Sequence, residues 1–101
     1  MDHQDILGGF MRVHILHHAV KDELYGQWMI EELKHHGYRL SPGTLYPMLH
    51  AMERKGYLTS RKERVGKTER RFYTVTDRGR EALAVAQAYL KELRQEVSQE
   101  R

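Results

Sequence analysis

The sequence predicts a mainly helical domain that carries one small β-hairpin. Three observations support this fold class: apolar residues recur at helical spacing in three segments before residue 56, a glycine turn separates two short strand patterns after it, and a long helical pattern closes the chain. This order is typical of a winged helix-turn-helix followed by an extra helix. We therefore expect residues 1–76 to form the winged helix and residues 77–101 to form a C-terminal dimerisation helix, both within one domain.

The first two helices are expected over about residues 6–20 and 24–36. The first is apolar over more than half of its circumference, so it should contact more than one neighbour. The second ends at Gly37, and glycine commonly follows the last turn of a helix. The short connection from there to Ser41 places a third helix directly after the second, as in a helix-turn-helix.

The third helix, expected over about residues 42–55, has clear start and core signals. Ser41 is a favourable N-cap residue, and Pro42 occupies the first helical position, where a missing N–H costs nothing. Pro47 lies inside the helix and predicts a bend or a loose first turn. The core stripe at spacings of three and four residues consists of Leu45, Met48, Leu49 and Met52.

Two strands are expected over about residues 57–64 and 69–76, around the turn at residues 65–68. β-Branched and aromatic residues lie on both sides of this glycine turn, as in a hairpin. Successive side chains of a strand point to opposite faces, so only one set can be buried. We expect the inward set to be Leu58, Tyr73 and Val75.

The last helix, with its heptad pattern over about residues 78–97, begins at a cap supplied by Thr76 or Asp77. A chain of 101 residues is too small to bury all of its apolar stripes alone, so we expect a homodimer. Packing of the heptad seam onto the first helix of the same chain is the alternative. The candidate dimer interface consists of Phe10, Val13, Leu83, Ala86, Tyr89, Leu90, Leu93 and Val97.

The positive charge is concentrated in one segment. Residues 1–53 hold four Lys or Arg and seven Asp or Glu, residues 54–76 hold eight and two, and residues 77–101 hold five and five. The formal net charge of +3 therefore divides into −3, +6 and 0. A local excess of this size attracts polyanions through counterion release, which makes the hairpin a candidate for nucleic-acid binding. A charged loop that only improves solubility is the alternative.

Several classes of protein are excluded or disfavoured by the composition. No apolar run approaches the roughly 20 residues that a membrane span requires, and the acidic N-terminus does not resemble a signal peptide. The chain has no cysteine, which excludes disulfides and thiolate metal sites. No nucleophile accompanies a His–carboxylate pair, and no phosphate-binding loop is present, so we expect no enzyme activity and no cofactor. These features are compatible with a cytoplasmic protein.

A group of local motifs carries a family likeness: Tyr25-Gly26, Ser41-Pro-Gly-Thr-Leu-Tyr-Pro47, Glu53 to Leu58, Arg70-Arg-Phe-Tyr73 and Thr76-x-x-Gly79. Together they resemble the PadR family of bacterial transcriptional regulators over roughly residues 6–95. The resemblance implies a homodimeric winged-helix repressor whose third helix enters the major groove of double-stranded DNA and whose wing contacts the backbone or the minor groove. It also implies the short subgroup, in which the last helix, with help from the first, forms the dimer.

The candidate DNA-binding residues lie before and on the third helix and along the wing. Thr44 and Tyr46 have hydroxyls suited to phosphate oxygens, although local capping and core packing are alternative roles for them. The helix start lacks the Arg, Asn or Gln of a bidentate base contact, so DNA shape should contribute to selectivity. The full set is Arg39, Ser41, Thr44, Tyr46, Pro47, His50, Arg61, Lys62, Arg64, Lys67, Arg70 and Arg71.

Two further functions depend on aromatic residues and histidines. Trp28 and Tyr89 are candidates for an effector pocket, with core or dimer packing as the alternative. His14 and His18 lie four residues apart, and His35 and His36 end the next helix, a pattern that could bind zinc or nickel. Adjacent histidines project in different directions, however, and no carboxylate completes an obvious set, so we expect no metal site.

The leading hypothesis is therefore a ligand-responsive homodimeric repressor that binds an inverted-repeat operator on double-stranded DNA. A winged helix used for protein–protein assembly is one alternative, and a histidine-based metal-responsive regulator is the other.

Overall fold

The computed structural model describes residues 3–100. These residues form four helices and a three-stranded sheet. The predicted α+β class and the order of the long elements are confirmed. None of the described helices is long and apolar enough to cross a membrane. In chain order the elements are α1 (Gln4–Lys21), β1 (Leu24–Tyr25), α2 (Gly26–His35), α3 (Pro42–Arg54), β2 (Leu58–Val65), β3 (Thr68–Val75) and α4 (Asp77–Gln99).

The sheet is antiparallel in the order β1-β3-β2, so it has one strand more than the predicted hairpin. Leu24 and Tyr25 were expected to begin the second helix, but this prediction was wrong. They pair with Tyr73 and Phe72 of β3, and the helix begins only at Gly26. A strand of two residues is too short to produce a period-two pattern, because tertiary pairing alone determines its conformation.

The hairpin turns more tightly than predicted. β2 extends to Val65 and β3 begins at Thr68, and these two residues pair across a two-residue turn of Gly66 and Lys67. Gly66 has a φ of +64°, a left-handed conformation that glycine adopts without strain. At the other end of the hairpin, Leu58, Tyr73 and Val75 are buried, which confirms the predicted inward set.

The core lies where α1, α2 and α3 meet the base of the sheet. The α3 stripe is buried as predicted, and Tyr73 is the largest fully buried side chain. The part that α4 contributes is Leu83, which is 6% exposed and packs in the same apolar cluster. Its expected place in a dimer interface stays a prediction, and the little surface that it leaves exposed limits what it can offer to a partner.

The starts of α3 and α4 are capped differently. Ser41 is the N-cap residue of α3, as predicted, but its hydroxyl makes no capping hydrogen bond; the amides of Thr44 and Leu45 donate to its carbonyl instead. Thr76 caps α4, and its hydroxyl accepts from the Gly79 amide at 3.0 Å. α3 runs without a break from Pro42 through Pro47 to Arg54.

Candidate nucleic-acid interface

The outer edge of α3 is exposed because its apolar stripe faces the core. Ser41, Pro47 and His50 are exposed, Tyr46 retains 37% of its surface, and Thr44 is half-buried. Helical spacing places most of these side chains on one side of the helix. This edge can therefore meet a ligand surface while Leu45 and its neighbours hold the helix in place.

The Tyr46 ring also packs across the start of α2. A Cβ atom added at Gly26 would lie 2.5 Å from both Cε1 and Oη of Tyr46, so only glycine fits there. The two residues thus fix how closely α2 and α3 approach. Tyr46 thus has the packing role that the sequence left open, and the exposed part of its side chain leaves the predicted DNA contact open as well.

A cation outside the expected set lies beside α3. The exposed Arg12 of α1 lines a shallow depression together with Thr44 and Pro47. Arginine at this place can reach an anion that approaches the start of α3. Sequence patterns could not single it out, because it is one exposed charge on a mostly apolar helix. Arg39 is also exposed, in the connection between α2 and α3.

The wing cations divide into two faces, which the strand register defines. Residues that pair across antiparallel strands point to the same side of the sheet. Ser60 pairs with the buried Tyr73, so we call the side that they share the inner face. The inner face carries Lys62, Arg64 and Arg71, the outer face carries Arg61 and Arg70, and Lys67 lies in the turn between the strands.

On the outer face both arginines are engaged within the protomer. Arg61 donates to Glu23 at 2.5 Å, lies 3.2 Å from Glu63 and covers the Phe72 ring at 5.0 Å. Arg70 lies over the Tyr25 ring at 4.6 Å. Both side chains therefore point toward β1 and the segment before it, away from the face that meets α3.

On the inner face, Arg71 belongs to a chain of hydrogen bonds that ends on α3. Its Nη1 donates to the Ser60 hydroxyl at 3.0 Å, and the Ser60 oxygen lies 2.9 and 2.8 Å from the two carboxylate oxygens of Glu53. This chain fixes the angle between the wing and α3. Farther out, Lys62 lies 3.8 Å from Glu69, whereas Arg64 and Lys67 have no ion pair within residues 3–100.

The expected interface residues of α4 form an exposed apolar groove with α1. Tyr89 is 72% exposed, Leu93 is 48% exposed and Val97 is 62% exposed, although each is apolar or aromatic. Ile6, 65% exposed, extends this apolar surface, whereas Val85 lines a neighbouring depression with Tyr57 and Arg78; neither was in the predicted set. The groove is lined by Ile6, Gly9, Phe10, Val13, Ala86, Tyr89, Leu90 and Leu93.

The two aromatic residues expected in an effector pocket lie in different places. Trp28, 39% exposed, borders a depression with His18, Asp22 and Tyr25, whereas Tyr89 lines the α1–α4 groove. One protomer therefore does not bring them together around a single ligand.

Comparisons with known proteins agree with this geometry. Residues 15–85 match the transcriptional regulator PadR-like family. The chain is 49% identical over 87 residues to the transcriptional regulator Rv3488 of Mycobacterium tuberculosis, a match that covers 86% of this chain and 81% of that protein.

Solved structures show the same fold. A PadR family transcriptional regulator from Eggerthella lenta superposes with a TM-score of 0.83 at 26% identity, over 94% of this chain and 84% of that one. A PadR-like transcription factor from Bacteroides fragilis gives a TM-score of 0.83 at 25% identity, over 95% and 94%.

Proposed function

The chain belongs to the PadR-like family of transcriptional regulators, and from that premise we propose that it represses transcription as a ligand-responsive homodimer bound to an inverted-repeat operator. One observation carries the proposal: the hydrogen bonds from Arg71 through Ser60 to Glu53 hold the inner face of the wing at a fixed angle to α3. A rigid helix beside a basic hairpin is the arrangement that places one element in the major groove and the other against the flanking backbone.

The division of labour between the two elements follows from their chemistry. The exposed edge of α3 offers Thr44, Pro47 and His50, which can contact phosphates, thymine methyl groups and base edges but make no bidentate contact with guanine. The cations of the inner face and of the turn supply charge for phosphate contacts. We infer that α3 positions the protein and reads a few base edges, while Lys62, Arg64 and Lys67 provide most of the salt-dependent affinity.

A second copy of the chain is the occupant that we assign to the α1–α4 groove. After Leu83 no residue of α4 is buried, and yet its apolar residues continue along the helix to Val97. Two such grooves related by a two-fold axis would cover each other, and the resulting dimer would have the two-fold symmetry of an inverted repeat. Half-sites about one helical turn apart, roughly 34–36 Å, match this symmetry.

Ligand response would pass through the same interface. The N-cap residue of α4, Thr76, donates its hydroxyl to the carbonyl of Gly56, two residues after α3 ends. A ligand that changes the packing of α4 can therefore change the separation of the two α3 helices in the dimer. We include a cytoplasmic location in the proposal, because a repressor acts in the compartment that holds the operator.

The test is selection of bound fragments from genomic DNA, followed by fluorescence anisotropy with the selected duplex at about 0.15 M salt, where specific binding separates from the salt-sensitive non-specific background. We expect an inverted repeat to be enriched and bound by two chains per site. Failure of every duplex to compete better than random DNA would contradict the proposal, and stable binding to a protein partner alone would favour an assembly module.

A further inference from the structure

Three imidazoles meet where α1 packs against the end of α2. His14 and His18 lie one turn apart on α1, and His36 follows the last helical residue of α2. A ring nitrogen from each of the three lies within 4.8 Å of the other two. The His14 and His36 rings are stacked with their centroids 4.6 Å apart. His35, which was expected to accompany His36, is exposed and takes no part in the group.

The turn after α2 explains why His36 points toward α1. The amides of Gly37 and Tyr38 donate to the carbonyls of Lys34 and Leu33, and Gly37 has a φ of +92°, so the chain closes the helix with a left-handed residue. This closure fixes the backbone around His36. The side chains of the adjacent His35 and His36 must point in different directions, but the sequence does not show which of the two points toward α1.

A carboxylate that the sequence pattern did not indicate lies beside two of the three imidazoles. Glu32 Oε2 lies 3.1 Å from His36 Nε2 and 3.4 Å from His18 Nε2. Glu32 precedes His36 by four residues on α2, so the two side chains share one helical face. The carboxylate therefore comes from α2, the helix opposite the His14–His18 pair.

His14 and His18 are both half-buried. Burial lowers the pKa of the two imidazoles; the neighbouring imidazoles act in the same direction, and the Glu32 carboxylate acts against it. Neutral imidazole is the form that binds a metal. His18 Nε2 is buried, and the Glu32 carboxylate 3.4 Å away makes no hydrogen bond with it, although buried polar atoms within residues 3–100 normally have a hydrogen-bond partner.

We propose that His14, His18 and His36, together with Glu32, bind one divalent transition-metal ion of the zinc and nickel class. Imidazole nitrogens and one carboxylate oxygen suit these ions better than magnesium or calcium, which prefer ligand sets made only of oxygen. A tetrahedral zinc site with bonds of about 2.0–2.1 Å needs ligand atoms about 3.3 Å apart, so the side chains would have to move closer together around the ion. The His36 side chain is 43% exposed, which gives the ion a route from solvent.

A bound ion would hold α1 to the end of α2. The turn that follows α2 leads within five residues of His36 to Ser41, at the start of α3. The site itself does not depend on the proposed function. The effect of the metal on DNA binding does depend on that function. If the chain is a DNA-binding repressor, a bound ion should change its affinity for the operator by fixing the position of α3 relative to α1.

The site is tested on the full chain after removal of metals with a chelator. Equilibrium dialysis against ZnCl₂ and NiCl₂, with metal measured by atomic absorption, reports binding even where a calorimetric signal is small. We expect one ion per protomer. The His36→Gln variant should bind at least about tenfold more weakly, because loss even of an outer partner of a metal ligand costs about 10–100-fold.

The matched control is His35→Gln, which removes the adjacent exposed histidine and should leave metal affinity unchanged. Circular dichroism of both variants establishes that they are folded. The absence of stoichiometric metal in the wild-type chain would overturn the proposal, as would an equal loss of affinity in the two variants.

The consequence for DNA is measured separately, by anisotropy of the selected duplex with and without ZnCl₂. A change in affinity that is abolished by His36→Gln but kept by His35→Gln supports the coupling. Stoichiometric metal with unchanged DNA affinity would overturn the coupling and leave the site. Failure to bind any duplex would contradict the proposed repressor, whereas the dialysis result would still decide the metal site.

Discussion

The Thr76 hydroxyl donates to the Gly56 carbonyl oxygen at 2.5 Å and accepts from the Gly79 amide at 3.0 Å. One side chain therefore joins the residues that follow α3 to the first turn of α4. The Thr76 amide adds a third bond, to the Tyr57 carbonyl at 3.1 Å. Gly79 lies so close to the same carbonyl that a Cβ atom there would collide with it. The start of α4 is thus built directly on the residues that follow α3.

Replacing Thr76 with valine should remove both side-chain bonds while keeping a β-branched residue of similar size. We expect the free energy of unfolding to fall by about 1–3 kcal/mol, because an N-cap and a second hydrogen bond are lost together. Urea denaturation measures the change. Thr76→Ser keeps the hydroxyl and should retain most of the stability. A valine variant as stable as the wild type would show that the two hydrogen bonds of the hydroxyl do not stabilise the fold.

Replacing Gly26 with alanine should separate α2 from Tyr46. The added methyl group would fall 2.5 Å from the Tyr46 ring, so the ring or the helix must move. We expect a loss of about 1–3 kcal/mol in stability, the usual cost of overpacking, together with weaker DNA binding. Thermal unfolding and anisotropy provide the two measurements.

Gly43→Ala is the matched control for that change, since a Cβ there meets its nearest atom, the Ser41 Oγ, at an ordinary 3.5 Å. It should not destabilise the protein. Equal destabilisation by the two alanines would refute the account based on the Tyr46 contact.

The two faces of the wing provide a pair of variants with equal loss of charge. Arg64→Ala with Lys67→Ala removes two cations that have no ion pair in the described chain, and we expect the slope of log K against log salt to fall by about two, one for each phosphate contact. Arg61→Ala with Arg70→Ala removes two cations already engaged with Glu23 and Tyr25. This second variant should keep most of the slope. A salt titration that affects the two variants equally would mean that net charge, and not the face, determines binding.

Leu93→Lys should weaken the proposed dimer without unfolding the protomer, because Leu93 is 48% exposed within it. A buried lysine without a partner is costly at an interface, so the dissociation constant should rise by at least about tenfold. Sedimentation equilibrium gives the constant. Gln95→Lys adds the same charge on another side of α4 and should have little effect; if both variants dissociate alike, the groove is not the interface.

Tyr73→Phe should leave the protein as stable as before, or more stable by up to about 1 kcal/mol. The Tyr73 hydroxyl is buried and has no hydrogen-bond partner within residues 3–100, and burial raises the pKa of the phenol. Its removal therefore relieves an unsatisfied group at no cost in packing. Tyr73→Leu, which leaves a cavity, should be clearly destabilising. A large loss of stability in the phenylalanine variant, measured by urea denaturation, would show that the hydroxyl has a partner after all.

The long elements could be predicted because each has a local cause. Ser41 and Pro42 begin α3, the stripe from Leu45 to Met52 buries one side of it, and Thr76 begins α4. These signals lie within a few residues of the structure that they produce. Burial of Tyr73 and Val75 at the base of the wing also followed from alternation along β3.

Features that depend on distant contacts could not be predicted. β1 exists only through its pairing with β3. Leu83 fits the heptad pattern of α4 but packs in the core, and the pattern alone cannot distinguish a core residue from an interface residue. The roles of Arg61 and Arg70 depend on which face they occupy and on Glu23, far away in the sequence. The histidine group combines residues from α1 and α2, and its carboxylate comes from the helix opposite the first pair.

The strand order has a further consequence for solubility. Because β3 lies in the centre, the free edges of the sheet belong to β1, which has two residues, and to β2. Exposed strand edges invite pairing with the edges of other molecules, and charged side chains discourage it. β2 carries Arg61, Lys62, Glu63 and Arg64 in succession. Lys62 and Arg64, which we assign to the DNA backbone, therefore also discourage the sheet from pairing with that of another chain. Neutral substitutions along β2 carry a risk of aggregation even where they leave operator binding intact.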